Sequence, residues 1–164
     1  MKASEIKRYE KKTIQELIKL ATKYFNDFIR LRDSEKGWFQ CISCGKHKEK
    51  YLMHAGHYLS AGHHGMVRFD ERNVNGQCSA CNTHLHGNLI GYRQGLEKKI
   101  GLVQVADLEM KARMSFKWDR WSLIETILNY QLKIKNGKDT FITRNDEPNT
   151  GSGGKPKLFA GDSQ

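Results

Sequence analysis

A chain of 164 residues suits one domain with a modest core, and its 38% hydrophobic content and mean hydropathy of −0.70 leave most of the surface polar. With 28 Lys and Arg against 18 Asp and Glu the formal charge is +10, so a polyanion is the expected partner. No apolar run nears the ~18 residues that a membrane span needs, which argues against a membrane helix, and four cysteines without a visible secretory signal fit a reducing cytoplasm.

Residues 4–32 read as one long amphipathic helix with Ser4 as its N-cap. Ile14, Leu17, Ile18, Ala21, Tyr24, Phe25 and Phe28 recur at three- and four-residue spacing and form one apolar stripe. The stripe suits either the core or a homodimer seam. Lys7, Arg8, Lys11, Lys12, Lys19 and Lys23 lie mainly elsewhere, on a face that suits solvent or DNA. Asp33 to Gly37 breaks the helix, and Trp38 to Cys41 is a short strand candidate. Lys46 to Lys50 reads as a charged hairpin tip, with His47 a surface residue.

Cys41 to Asn88 is the chemical centre. It holds all four cysteines and all seven histidines. Cys41-x-x-Cys44 and Cys78-x-x-Cys81 have the spacing of zinc knuckles, with 33 residues between the pairs. A redox pair would come singly beside a βαβ pattern, and disulfides would need an oxidising compartment. Four thiolates around one structural zinc are therefore expected. Between the knuckles stand His54 and His57 in MHAGHY, and Asn73 in ERNVNGQC; Asn82 follows Cys81 directly. Leu59 to Val67, rich in Gly, Ser and His, reads as a loop, and His63 and His64 in it are assigned to solvent or phosphate. Cys81 to Ile100 reads as one helix that puts Asn82 and His86 on one face and leaves His84 off it. Tyr92, Leu96 and Ile100 would pack inward, Arg93, Lys98 and Lys99 outward, and Gly101 would end the segment.

Val105 to Met114 and Trp121 to Lys135 are further helices. From Asn136 the composition turns to Gly, Ser, Asn, Asp and both prolines, which reads as a disordered tail. The chain thus divides into an N-terminal helix (1–36), a zinc-bound core (37–101), C-terminal helices (102–136) and a tail (137–164). The expected fold class is α+β, mostly helical. Its centre would be a zinc-knuckle ββα-metal unit, like that of HNH nucleases or a treble clef: a histidine-bearing strand, an asparagine loop and a helix carrying a metal ligand.

The blocks FIRLRDSEKGWFQCISCG, AGHY, RFDERNVNGQC, CN, and GN followed by YR resemble the NinG family of lambda-like phages, also called Rap recombination proteins. The resemblance runs from about Phe25 to Gly101, with weaker support around Trp121. It implies a phage recombination nuclease that cuts branched DNA such as Holliday junctions and D-loops. Such a protein would work in the cytoplasm of the bacterial host, alongside other phage recombination proteins. A more distant similarity is to phage endonuclease VII, which also has a four-cysteine zinc and an asparagine straight after the last cysteine.

On this reading His57 is the general base and Asn73 holds its imidazole. Asn82 and His54, with His86 as a further candidate, bind a catalytic Mg²⁺ or Mn²⁺. Arg68, Arg72, Arg93 and Lys98 are the expected DNA contacts; for Arg68 and Arg72, pairing with Asp70 or Glu71 is the competing role. Many HNH strands carry an adjacent Asp-His or His-His pair. Here Gly56 precedes His57, so His54 and His57 reach one metal only if the strand bulges between them. The rival functions are a zinc-stabilised accessory protein that binds branched DNA without cutting it, and an adaptor that dimerises through its first helix. Neither rival needs His57, Asn73 and Asn82 together.

Overall fold

The computed structural model describes residues 3–145, with side chains from 6 to 137. The described part is a mixed α+β structure, mostly helical. Helices α1 (Ala3–Glu10) and α2 (Ile14–Arg32) come first. A small antiparallel sheet follows, made of β1 (Ser34–Glu35), β2 (Trp38–Gln40) and β3 (His47–Glu49). A two-stranded antiparallel ribbon, β4 (Met53–His57) and β5 (Val74–Cys78), stands next to it. A π-helical turn over Ala80–His84 leads to α3 (Leu89–Ile100), α4 (Leu102–Ala112) and α5 (Arg120–Asn145).

The expected single N-terminal helix is two helices, and Ser4 lies inside α1. Thr13 breaks the run by capping α2: its Oγ1 accepts from Glu16 N at 3.2 Å, while Glu16 Oε2 accepts from Thr13 N at 2.7 Å. This reciprocal box satisfies two backbone donors that a helix start leaves orphaned. The apolar stripe of α2 is core. Leu17, Ala21, Phe25 and Ile29 have no exposed surface and pack with Leu123, Ile124, Ile127 and Tyr130 of α5, the most extensive pairing of elements in the fold. The stripe is therefore spent within the chain. The α5 helix also runs past Lys135 and Asn136 to Asn145; residues 146–164 of the expected tail lie outside the described residues.

A second cluster joins Tyr92 and Leu96 of α3 to Val105, Leu108 and Ala112 of α4 and to Val67. The α3 helix also lies directly on the first knuckle. A Cβ at Gly91 would stand 2.3 Å from Ser43 O, and one at Gly95 1.9 Å from Ile42 O, so only glycine permits this approach. Between α2, β5 and α3 runs a polar network. Arg32 and Lys99 both bind Asp33 and Asn75 Oδ1, Asp33 accepts from Gly76 N, and Asn75 Nδ2 donates to the Tyr92 hydroxyl. It fixes β5 against both helices at the level of the knuckles. No described helix is long and apolar enough to cross a membrane.

Candidate functional site

The β2–β3 hairpin carries the first knuckle at its tip, and β5 delivers the second. Cys41 N donates to Lys46 O and Gly45 N to Cys41 O, each at 2.9 Å, closing the turn that aims Cys41 and Cys44. The four cysteines stand with their sulfurs within 4.8 Å of one another. In a tetrahedron of about 2.3 Å Zn–S bonds, sulfurs lie about 3.8 Å apart; Cys44 and Cys78 Sγ are 4.0 Å apart. The cluster can hold a metal ion such as zinc. Two N–H groups already point at its sulfurs, Cys78 N at Cys41 (3.4 Å) and Asn88 Nδ2 at Cys81 (3.5 Å). Burial pushes the Cys41 thiol up, but amides of Cys78, Cys44 and Ser43 outweigh it and the net shift is down. Burial drives Cys81 up to about 12.

The ribbon presents the remaining candidates. Its register runs without interruption from Met53↔Cys78 to His57↔Val74. The strand therefore does not bulge at Gly56, and alternation puts His54 and His57 on opposite faces. Gly56 serves another end. A Cβ there would lie 2.2 Å from Gln77 Oε1 and 3.1 Å from Asn82 Oδ1, so its bare Cα leaves room for two amide side chains.

His54 meets Asn82 from the π-helical turn, with Nδ1 and Nδ2 3.1 Å apart. His86 does not share their face. The turn ends at His84, and His86 follows in a left-handed conformation (φ 47°), exposed to solvent. With Asn88 (φ 41°) it splits the expected Cys81–Ile100 helix in two. Apart from the cysteines, no three His, Cys, Asp or Glu side chains gather their ligand atoms so closely among the described residues.

His57 is half-buried and held by the chain itself: Nε2 lies 3.1 Å from the Arg68 carbonyl. A carbonyl only accepts, so the neutral ring carries its proton on Nε2 and its lone pair on Nδ1. Burial first, and then the nearby Arg68 charge, hold the pKa below the ordinary histidine value despite the opposing carbonyl. Asn73 does not bind this imidazole. Fully buried, it accepts from Leu59 N at 2.9 Å and donates to Leu59 O at 2.9 Å and Val67 O at 3.0 Å. It clamps both ends of the loop that presents the Arg68 carbonyl, so its support of His57 is indirect.

Of the expected phosphate contacts, Arg72 is consumed. Its guanidinium binds Asp70 through two bonds (3.0 and 2.7 Å), and also Gln104 and Asp107 (2.8 Å each). Hydrogen bonding to Asp70 is the largest cause of its raised pKa. Arg93 pairs with Glu97 and with Glu109 at 3.1 Å. Both arginines hold elements together: Arg72 ties the loop to α4, and Arg93 ties α3 to α4. Arg68 and Lys98 keep side chains without an ion-pair partner among the described residues, and Lys98 is exposed. His64 donates from Nδ1 to Ala112 O (3.0 Å), a packing role, whereas His47, His63 and His84 are exposed.

Two site residues escaped the sequence reading, Gln77 and Asn88. The signal for Gln77 was a polar residue in a strand whose five residues, Val74–Cys78, are all buried.

Comparison with known proteins places the chain. A model of the family described as Bacteriophage Lambda NinG protein matches residues 1–139. Protein ninG of Salmonella phage P22 is 38% identical over 126 residues, 75% of this chain and 58% of that protein. Protein ninG of Escherichia phage 933W is 38% identical over 122 residues, 73% of this chain and 57% of that protein. Protein ninG of Escherichia phage lambda is 37% identical over 122 residues, 73% and 56% of the two chains. The aligned part thus spans little more than half of these relatives, and no solved structure matches. The extent of the family match, across the knuckles, the ribbon and the flanking helices, shows that the chain belongs to the NinG family.

Proposed function

We propose that the protein is a metal-dependent endonuclease of phage recombination that hydrolyses phosphodiesters in branched DNA, built on an HNH-like ββα-metal unit stabilised by one zinc. The observation that carries this reading is the fixed tautomer of His57. The Arg68 carbonyl on Nε2 leaves the lone pair of the neutral ring on Nδ1, and burial favours that neutral ring. Nδ1 takes the proton of a water attacking phosphorus in line with the leaving 3′ oxygen. The Arg68 guanidinium, without an ion-pair partner among the described residues, lowers the His57 pKa through its charge, and a free guanidinium in this region suits a phosphate contact.

His54 and Asn82 fit a hard divalent ion, Mg²⁺ or Mn²⁺, through one imidazole and one amide oxygen; both donors are neutral, so affinity without DNA is expected to be weak. Such an ion, when bound, would neutralise charge on the phosphate and the leaving oxygen. The net charge of +10 supports a nucleic-acid partner. The preference for branched DNA rests on the family reading.

The test separates base from ion. In zinc-loaded protein, His57→Ala should retain fold and junction binding, while cleavage falls by roughly 10²–10⁴-fold without rescue by excess Mn²⁺. Asn82→Ala should also cripple cleavage, and excess Mn²⁺ should partly restore it. The reverse pattern would exchange the two roles. If both variants cut like the unmodified protein, the site is not catalytic and a binding module replaces the nuclease.

A further inference from the structure

Gln77 is fully buried in β5, and its Oε1 has no hydrogen-bond partner. Its amide nitrogen is tied at both sides, donating to Ser43 Oγ at 2.7 Å and to Gly87 O at 2.6 Å. Ser43 lies within the first knuckle and Gly87 just beyond the second. Turning the Gln77 amide over would keep a bond to Ser43, whose hydroxyl can also donate, but would set Oε1 against the Gly87 carbonyl, another acceptor, so the Gly87 contact fixes its orientation. The orphan oxygen therefore points where the structure puts it, across the bare Cα of Gly56 and toward Asn82. An ideal Cβ on Gly56 would lie 2.2 Å from Gln77 Oε1 and 3.1 Å from Asn82 Oδ1, so two acceptors flank one point beside Gly56, and Oε1 has no hydrogen-bond partner. On its other side the Asn82 amide sets Nδ2 against His54 Nδ1.

As it stands Asn82 Nδ2 donates to an unprotonated His54 Nδ1, and only Gln77 Oε1 is left without a donor; a half-turn of the Asn82 side-chain amide supplies that donor and keeps a hydrogen bond to His54. Its Nδ2 then donates to Gln77 Oε1, and its Oδ1 faces His54, whose Nδ1 donates to it while no ion is present. Oδ1 and Nδ1 would then sit side by side, which is the pair of atoms a divalent cation takes from an amide and an imidazole. We infer that Gln77 is a positioning residue for the ion site: its buried carbonyl holds the Asn82 amide by the nitrogen end, so that Oδ1 is turned toward His54. The inference rests on the reading of His54 and Asn82 as the ion-binding pair. It adds a physical link between the two metal centres, because the side chain that orients Asn82 is itself held by backbone and side-chain groups of the zinc knuckles. It also gives Gly56 its purpose, since any side chain there would fill the space through which Gln77 and Asn82 meet.

The experiment is Mn²⁺ binding to zinc-loaded protein without DNA, read from the electron paramagnetic resonance signal of free Mn²⁺. Asn82→Ala calibrates the site and should abolish the binding. Gln77→Met keeps length and removes the acceptor, and should weaken binding by roughly tenfold or more. The decisive comparison is in an Asn82→Asp background. A carboxylate presents an oxygen whichever way it turns, so Gln77→Met should then cost nothing. Equal losses in both backgrounds would mean that Gln77 merely supports the fold, and no loss in the Asn82 background would remove its role; either overturns the proposal. If Asn82→Ala binds Mn²⁺ as the unmodified protein does, the ion-site reading itself fails and the proposal falls with it.

A second measurement needs no variant. Nuclear Overhauser contacts should place the Asn82 side-chain NH₂ beside the Gly56 α-protons. Contacts to the His54 ring alone would overturn the assignment.

Discussion

His57 sets the pH behaviour of the site. Its pKa in the folded protein is depressed below the ordinary 6.5, by burial first and by the Arg68 charge. A depressed histidine binds fewer protons folded than unfolded. Its contribution to stability is therefore complete above about pH 6.5 and is lost as pH falls through the folded value. Cleavage should follow the same neutral form, so the acid limb of the rate profile should lie below pH 6.5 and disappear from the residual activity of His57→Ala. A limb above 6.5 would mean that the ring is not in the buried, carbonyl-bound state. His57 was visible in the sequence as the histidine of AGHY, but its partner was not. Asn73 was the partner that the family reading implied, whereas the partner is the main-chain carbonyl of Arg68, in a loop that the Asn73 side chain closes at Leu59 and Val67. Arg72 is the reverse case. Its neighbour Asp70 was in plain view, but Gln104 and Asp107, which complete its fourfold capture, arrive from α4 more than thirty residues later.

At the level of elements, periodicity found the helices and misjudged their ends. The apolar stripe begins at Ile14, and the charged run through Lys11 and Lys12 before it was read as part of the same helix. The mark was the Thr13-x-x-Glu16 capping box, a local signal outweighed by the longer pattern. Likewise α3 begins at Leu89 rather than Cys81, because His86, Gly87 and Asn88 all take left-handed backbone. That break is what removes His86 from the Asn82 face. Thr13→Ala should cost about 1 kcal/mol of stability. Phe25→Ala should cost about 3–5 kcal/mol, since its fully buried ring packs edge-on against Phe69 and Tyr130 at 5.6 and 4.9 Å. Chemical denaturation with unchanged slope checks both. A small loss at Phe25 would contradict a stripe that is spent on α5 and would reopen α2 as a surface for a second copy.

Across the whole molecule, the knuckles, the ribbon and α3 form one continuous assembly. The α3 helix rests on the first knuckle, Asn88 points at Cys81, and Cys81 and Asn82 share one turn. Loss of the metal should therefore be a folding event. Cys78→Ser, or chelation of the ion, should unfold or precipitate the chain rather than merely silence it, as circular dichroism and metal analysis would read; a folded, soluble protein without zinc would contradict this. The cysteine cluster was the most legible part of the sequence because its signal is short-range spacing. The small-residue contacts that join it to the candidate active site were not legible, because they depend on how α3 lies across the knuckle. Zinc-loaded protein should be incubated with a synthetic four-way junction and a linear duplex of the same sequence, with and without Mg²⁺ or Mn²⁺. The expected result is metal-dependent cutting of the junction in preference to the duplex, with binding that weakens steeply as salt rises. A protein that binds the junction yet leaves it intact with either ion would contradict the nuclease reading.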